Sequence, residues 1–359
     1  MIYLTATLVL IILLSIILSE RPAGPLSYLP IDPKKTPNKP AGFKGTPIDK
    51  KNRFVFEEAP FYQNFLRVFA FLPAHFGVLW FSRKKKIEVI QISDTSFLHG
   101  EDCMIWLGHA SYFMRLNGKN LLIDPHFHNI YSYKRHTKNP IDPEQFKFID
   151  YILLSHDHAD HFDTHSIKTV LNNNPSATIL TGMHMRNLLQ EELKINPDIQ
   201  ENLWFEKFET DGLSITFLPN RHYSKRIFRP FNATLWGGFM ISYNNGTIYW
   251  SGDSGYSGHF REIGETFKPD LFIVGTGAYK PRWFMKDNHM DPDDAYKAFK
   301  DSGAKMMVPM HFGTFQLGNE TTDDVLNRLN KLGKDVRMLT IGRIYTIPDV
   351  LFSTGEDQD

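Results

Sequence analysis

The sequence holds a single cysteine, Cys103, among 359 residues. One thiol cannot close a disulfide within the chain or build a cysteine-based zinc site. Any metal held here must be gripped by His, Asp or Glu. Cys103 falls in the apolar run CMIWL and reads as a small buried hydrophobe. An excess of one charge is also missing, since 40 basic side chains face 40 acidic ones. That balance removes the bulk attraction behind sequence-independent nucleic-acid binding, so nucleic acid is not expected as a partner. Charge is absent altogether from residues 1–19, MIYLTATLVLIILLSIILS. Aromatics, by contrast, are plentiful: 29 Phe, 14 Tyr and 6 Trp. Most are expected in the core, and some on a greasy binding surface.

The uncharged stretch approaches the ~20 apolar residues that cross a bilayer as a helix. A cleaved signal peptide would want a basic start and small residues before the cut. The start has no Lys or Arg, and SERPAGP is a poor cleavage site. The expectation is therefore an uncleaved, single-pass membrane anchor over residues 1–20. Arg21, Lys34, Lys35, Lys39 and Lys44 follow it, which by the positive-inside rule puts the catalytic domain in the cytoplasm. Residues 21–95 form a Pro- and Lys-rich arm with an amphipathic segment. Its first part, 21–52, reads as a tether or an extended arm. In residues 61–86, Phe65, Val68, Phe69 and Leu72 recur at helical spacing, and Arg83, Lys84, Lys85 and Lys86 follow. Such a segment suits contact with anionic lipid headgroups. A helix packed on the main domain, with a solvated Lys run, fits the same pattern.

From about residue 96 to 350 strands alternate with helices, which indicates an α/β domain; residues 351–359 are a tail. CMIWLGH and SYFMRL read as strands, NGKN as a hairpin turn and LLID as the next strand. YILLS, ATILTG, LSITFLP, GGFMISY, TIYWSGD, LFIVGTG and KMMVPMH are further strands, with NNGT as a second hairpin turn. A helical segment is expected around 164–173. DPDDAYKAFKDSG is another helix, with Asp291 as N-cap and Gly303 as its stop.

The strand YILLS runs straight into SHDHADH. In an extended segment His156 and His158 point the same way and can hold one ion. Asp160 and His161 follow and can turn toward a second. Imidazole and carboxylate without thiolate suit zinc first, manganese or iron less well. Four ligands do not fill two ions. His222, Asp253 and His311 each stand just after a strand-like run and are candidates for the rest, with Asp253 able to bridge.

SHDHADH resembles the HxHxDH signature of the metallo-β-lactamase-fold hydrolases. WLGHASYFMRLNGKNLLIDPHF, LPNRHYSKR, SGDSGY, MKDNHMDPDDA and PMHFGTF resemble, more narrowly, the N-acylphosphatidylethanolamine-hydrolysing phospholipase D branch. The resemblance implies an αβ/βα four-layer metallo-β-lactamase sandwich, preceded here by the transmembrane anchor. It implies two zinc ions, one held by His156, His158 and His222, the other by Asp160, His161 and His311, with Asp253 between them. In flavodiiron relatives the second histidine is typically Glu; here it is His158, which disfavours iron redox chemistry.

Two such metals suit attack of activated water on a phosphodiester. The resemblance thus implies a phospholipase D acting on N-acylphosphatidylethanolamine, with a phospholipid and a membrane as partners and a homodimer left open. Asp160 is expected to orient the nucleophile besides ligating. By resemblance, His289 faces the substrate phosphate; a surface histidine at a helix start is the plainer reading. Asp124 is expected to orient a metal ligand, and His109 either does the same or is a core histidine. His126, His128, His136, His165, His184 and His259 read as structural or surface groups. YKPRWFMK, residues 279–286, reads as a loop dipping into lipid or one packed by its own aromatics. The alternatives are a lactonase or other two-zinc hydrolase, an RNA-processing nuclease, and a membrane-anchored non-catalytic zinc-binding module.

Overall fold

In the strand Cys103–Gly108 every residue is buried, yet the side chains still divide by parity. Cys103, Ile105 and Leu107 join one apolar cluster, and Met104 and Trp106 join another. A strand covered on both faces needs no polar alternation, so its sequence is a continuous apolar run. This computed structural model describes residues 22–61, 65–81 and 86–352.

Two sheets result. The first contains β3 (Cys103–Gly108), β4 (Ser111–Leu116), β5 (Lys119–Ile123), β6 (Tyr151–Leu154), β7 (Thr178–Gly182), β8 (Asp198–Asn202) and, at its other edge, β14 (Ile344–Thr346), in the order β14-β3-β4-β5-β6-β7-β8. The second contains β9 (Ser214–Leu218), β10 (Gly238–Tyr243), β11 (Gly246–Trp250), β12 (Leu271–Gly275) and β13 (Met306–Met310), in the order β13-β12-β11-β10-β9. Hairpins are antiparallel, while β5 through β8 and β11 through β13 run parallel. The β4–β5 turn uses Asn117 and Gly118 at φ 49° and 76°, the left-handed pair that a two-residue hairpin demands.

The inner faces of the sheets share one core, with Met104, Trp106 and Tyr112 from the first and Phe217, Phe239 and Trp250 from the second. Helices α2 (Thr164–Asn173) and α3 (Met185–Leu193) bury Ile167, Val170, Leu188 and Leu189 against the outer face of the first sheet. On the second sheet lie α4 (His259–Phe267), α6 (Pro292–Ser302) and α7 (Thr322–Leu329), which contribute Phe260, Ile263, Phe299 and Val325 to the shared core. This is the expected four-layer α/β arrangement. The Asp291 side chain accepts from the Asp294 backbone N–H, and Gly303 ends α6 at φ 67°, as the capping pattern predicted.

The arm is docked rather than a free tether. Strands β1 (Ser27–Tyr28) and β2 (Pro47–Ile48) pair, Asp49 meets Arg53 at 2.8 Å, and Phe54 is fully buried. Helix α1 (Phe65–Phe81) stacks Phe71 on Phe284 with 4.8 Å between ring centroids. Its buried His75 reaches Asn319 at 2.8 Å and Tyr133 at 3.2 Å. Phe284 belongs to the short helix α5 (Arg282–Met285). The described residues end with α8 (Ile347–Phe352), which takes in the first two residues of the expected tail.

The expected single-pass anchor and its cytoplasmic domain are corrected here: among the described residues no helix is long and apolar enough to cross a membrane. The stretch 1–20 that prompted the expectation lies outside the described residues, as do Arg83, Lys84 and Lys85.

Close packing of α4 on α6 makes one glycine critical. A Cβ on Gly264 would fall 2.2 Å from the Ser302 carbonyl oxygen. Gly264→Ala is expected to cost about 1–3 kcal/mol of stability, read as a lower urea midpoint.

Candidate metal centre

Strands β3, β5 and β6 of the first sheet run one way, and β9, β11 and β13 of the second share a direction. Every candidate ligand leaves a strand at its C-terminal end. His156, His158, Asp160 and His161 follow β6; His222 follows β9; Asp253 follows β11; His311 follows β13. Side chains fixed at strand ends are held by the sheet beneath. Seven residues from four separate stretches of the chain therefore meet at one edge of the sandwich.

They meet as two groups of donor atoms. The His156 Nε2 and His158 Nδ1 atoms are 2.9 Å apart, and His158 Nδ1 lies 3.1 Å from His222 Nε2. In the second group, Asp160 Oδ2 lies 3.5 Å from His161 Nε2 and 3.4 Å from His311 Nε2. Asp253 stands between the groups. Its Oδ2 lies 3.1 Å from His161 Nε2, 3.2 Å from His311 Nε2 and 3.9 Å from His222 Nε2.

These groups fit a metal better than they fit one another. Three imidazole nitrogens converge with too few protons to satisfy every pair. Asp253 Oδ1, His222 Nδ1 and both ring nitrogens of His311 are buried without a hydrogen-bond partner. Such orphaned groups cost free energy that a cation would recover. Burial, then neighbouring imidazoles, hold His156 and His222 well below the usual histidine range, and burial takes His158 down to about 4. These histidines are neutral, as ligands must be. Burial also opposes charge on His161 and His311, but the Asp253 and Asp160 carboxylates outweigh it. They raise His161 well above its ordinary value and His311 to about 9. A proton there occupies the place a metal would take.

Neighbouring groups aim these side chains. Buried Asp124 accepts from the Ser155 backbone N–H at 2.8 Å and its hydroxyl at 2.6 Å, and meets His161 Nδ1 at 2.6 Å. That contact turns His161 Nε2 toward Asp253, as expected of a carboxylate behind a ligating histidine. His109 sits behind the second group, with Nε2 3.1 Å from Asp160 Oδ2. It is an orienting residue and also buried. His109, Asp124 and His311 adopt left-handed backbone, at φ 53°, 40° and 66°. Strained positions of this kind gather at functional sites.

His126 braces the loop from below, its Nε2 3.0 Å from the Ala159 carbonyl oxygen. His259 is packed against Ser257 and Phe56, away from the donor groups. Two braces were not singled out from the sequence. The Arg226 guanidinium donates to the carbonyls of Asp157 and Phe162, at 3.3 and 3.0 Å, and to Glu192 at 2.9 Å. Asp157 accepts from the Lys225 backbone N–H at 2.8 Å and the Thr234 hydroxyl at 3.0 Å. Together they tie the loop after β9 to the loop after β6. Both lie inside motifs read above, but their partners are 34 to 77 residues away.

His289 lies in the site rather than on the surface. Its Nδ1 is 3.8 Å from Asp253 Oδ2, and burial lowers it to about 4, so the ring is neutral. It lines a cavity of about 270 Å³ together with His158, Asp160, Asp253, Tyr223 and Lys225.

The family profile of the beta-lactamase superfamily domain matches residues 119–312. The chain belongs to this superfamily and is a metal-dependent hydrolase. It is 32% identical, over 63% of its length and 67% of the relative's, to N-acyl-phosphatidylethanolamine-hydrolyzing phospholipase D 1 of Caenorhabditis elegans. It is 29% identical to the mitochondrial N-acyl-phosphatidylethanolamine-hydrolyzing phospholipase D of Saccharomyces cerevisiae, over 62% of this chain but only 50% of that protein. A metal-dependent hydrolase of Aeropyrum pernix is 25% identical over 67% of this chain and 96% of its own. The crystal structure of a possible metal-dependent hydrolase from Veillonella parvula superposes with a TM-score of 0.57 at 17% identity, covering 69% of this chain and all of that one. That last likeness speaks for the fold alone.

If a cation holds the two donor groups together, removing it must loosen them. Dialysis against a chelator is expected to lower the thermal midpoint, and adding a divalent metal to restore it. Asp124→Asn is expected to weaken metal affinity by about 10- to 100-fold, measured by competition with a chromogenic chelator.

Proposed function

We propose that the protein is a two-zinc phosphodiester hydrolase that cleaves N-acylphosphatidylethanolamine. The observation that carries this reading is Asp253, one carboxylate set between two groups of imidazole and carboxylate donors. His156, His158 and His222 would hold one ion, Asp160, His161 and His311 the other, with Asp253 common to both. The donors are nitrogen and oxygen only, which favours zinc. When bound, such a pair supplies activated water near neutral pH and neutralises charge on the phosphoryl oxygens.

The chain's own side chains do the rest. Asp160 would orient the attacking water as well as help hold the second ion. Lys225 stands at the cavity wall with its ammonium on the Arg229 carbonyl, from which it would turn to meet the phosphate anion. His289, neutral, offers an N–H to a phosphoryl or leaving-group oxygen in the cavity that it lines. Water adds to phosphorus, the bond from phosphorus to the ethanolamine oxygen breaks, and that oxygen leaves with a proton. The products are phosphatidic acid and an N-acylethanolamine.

The choice of this substrate is supported by the relatives named for it and by the mixed lining of the cavity. Met285 and Leu317 stand beside Lys225 there, apolar groups next to a cation. A lactone would use the same donors without needing a cation for phosphate.

Purified protein is expected to hydrolyse a defined N-acylated phospholipid in micelles. Chelation should abolish the activity and zinc should restore it. Asp253→Ala and His311→Ala should stay folded and lose turnover. Turnover of a lactone panel alone would overturn the assignment to phospholipid. Stoichiometric zinc without turnover of any substrate class would favour the non-catalytic module.

A further inference from the structure

Helix α1 is divided into two faces, and among the described residues only one is accounted for by packing. Phe71 and His75 are buried against the domain. On the opposite side, Phe69, Ala70, Pro73, Ala74 and Phe76 are exposed, with Phe69 at 49% and Phe76 at 54%. At the helical repeat these five residues form one stripe, and none of them carries charge. A helix facing water should be polar on that side. The second exposed apolar feature is the tip of the loop after β9. Phe228 is fully exposed at 101%, with Ile227 beside it at 54%. Phe228 is held there at φ 61°, a conformation uncommon for an aromatic residue.

Both features are joined to residues that line the metal cavity. The loop reaches it through Tyr223 and Lys225, which line the cavity; Tyr223 also stacks on Phe61, 4.3 Å between centroids, just before α1. On the other flank α1 rests on α5, whose Met285 lines the same cavity and whose Trp283 is 45% exposed. Exposed Lys225, Lys286 and Lys86 accompany the two features.

From this placement we infer that the α1 stripe and the Phe228 tip are two prongs that seat the protein on an anionic phospholipid surface, with the cavity mouth facing the lipid between them. The inference rests on the lipid-substrate reading above. It involves insertion in the plane of the interface and requires no spanning helix. Charge argues for lipid over a second copy of the chain, because the apolar prongs are accompanied by lysines suited to headgroup phosphates. Access argues the same way, since a second copy seated on both prongs would cover the mouth.

The single buried Cys103 makes a local test practical. Phe228→Cys and Phe69→Cys, in the full chain, are each labelled with an environment-sensitive fluorophore. Lys147→Cys, an exposed position before β6 and so at the end of that strand remote from the metal loop, is the control. With vesicles of phosphatidylcholine and phosphatidylserine, the labels at 228 and 69 should shift to the blue and the label at 147 should not. If 228 and 69 behave like 147, the inference fails. If they shift without vesicles and the shift grows with protein concentration, the face belongs to a second copy and the inference also fails. In a parallel arm, Phe228→Asp should lower hydrolysis on vesicles by roughly ten-fold, leaving hydrolysis of a dispersed short-chain N-acylated phospholipid unchanged. Equal loss on both substrates would count against an interfacial role. Absence of hydrolysis by the unaltered protein would overturn the substrate reading, while the fluorophore shifts judge the surface independently.

Discussion

Too many unprotonated donors converge at one buried edge of the sandwich for hydrogen bonding to satisfy them. His156, His158 and His222 face one another across about 3 Å, and Asp253 is shared with His161 and His311. Buried polar groups left unpaired are costly, and a buried carboxylate more so. A bound cation resolves both problems, because it accepts lone pairs from imidazoles and compensates the carboxylates. Much of the surrounding structure can be understood as bracing for that arrangement. Asp124 fixes His161, His109 backs Asp160, and Arg226 locks the loop carrying four of the donors.

The architecture makes this convergence possible without long excursions. Strands of each sheet that share a direction end at the same edge, and the two sheets pack through one apolar core. A short loop after each strand is enough to bring its donor to the seam. The chemistry is therefore borne by loops, and the precision by the sheets below them. The hydrolase family to which the chain belongs follows from this edge and from the sequence profile, while the substrate depends on what surrounds it. Those surroundings are built partly by the arm, since Phe61 stacks on Tyr223 at the mouth and α1 lies against α5. The arm precedes residue 119, where the family profile begins.

Much of the fold was legible because most of the sheet strands are buried on both faces. Runs such as CMIWLG and YILL are apolar throughout, and their ends are marked by turns like Asn117–Gly118. Strand β8, with the sequence DIQEN, was not legible, because an edge strand can be polar and still pair. The docking of residues 47–56 was hidden as well. Proline, glycine and lysine signal a tether locally, and only the contact of Phe54 with the distant core overrides that signal.

The sequence alone determined the donor types, for a chain with one buried thiol must bind metal through imidazole and carboxylate. It also determined the local spacing of His156, His158, Asp160 and His161, since four residues on one short loop meet whatever the rest of the chain does. Tertiary structure decided which of the remaining histidines belong. His289 and His259 each stand beside a helix start, yet one faces Asp253 and the other packs on Phe56. The braces Arg226 and Asp157, the aromatic pair at the mouth and the exposed apolar face of α1 were decided there too. Each depends on which surfaces long-range packing brings together, and hydrophobic burial is too non-directional to announce those partners in any local stretch of residues.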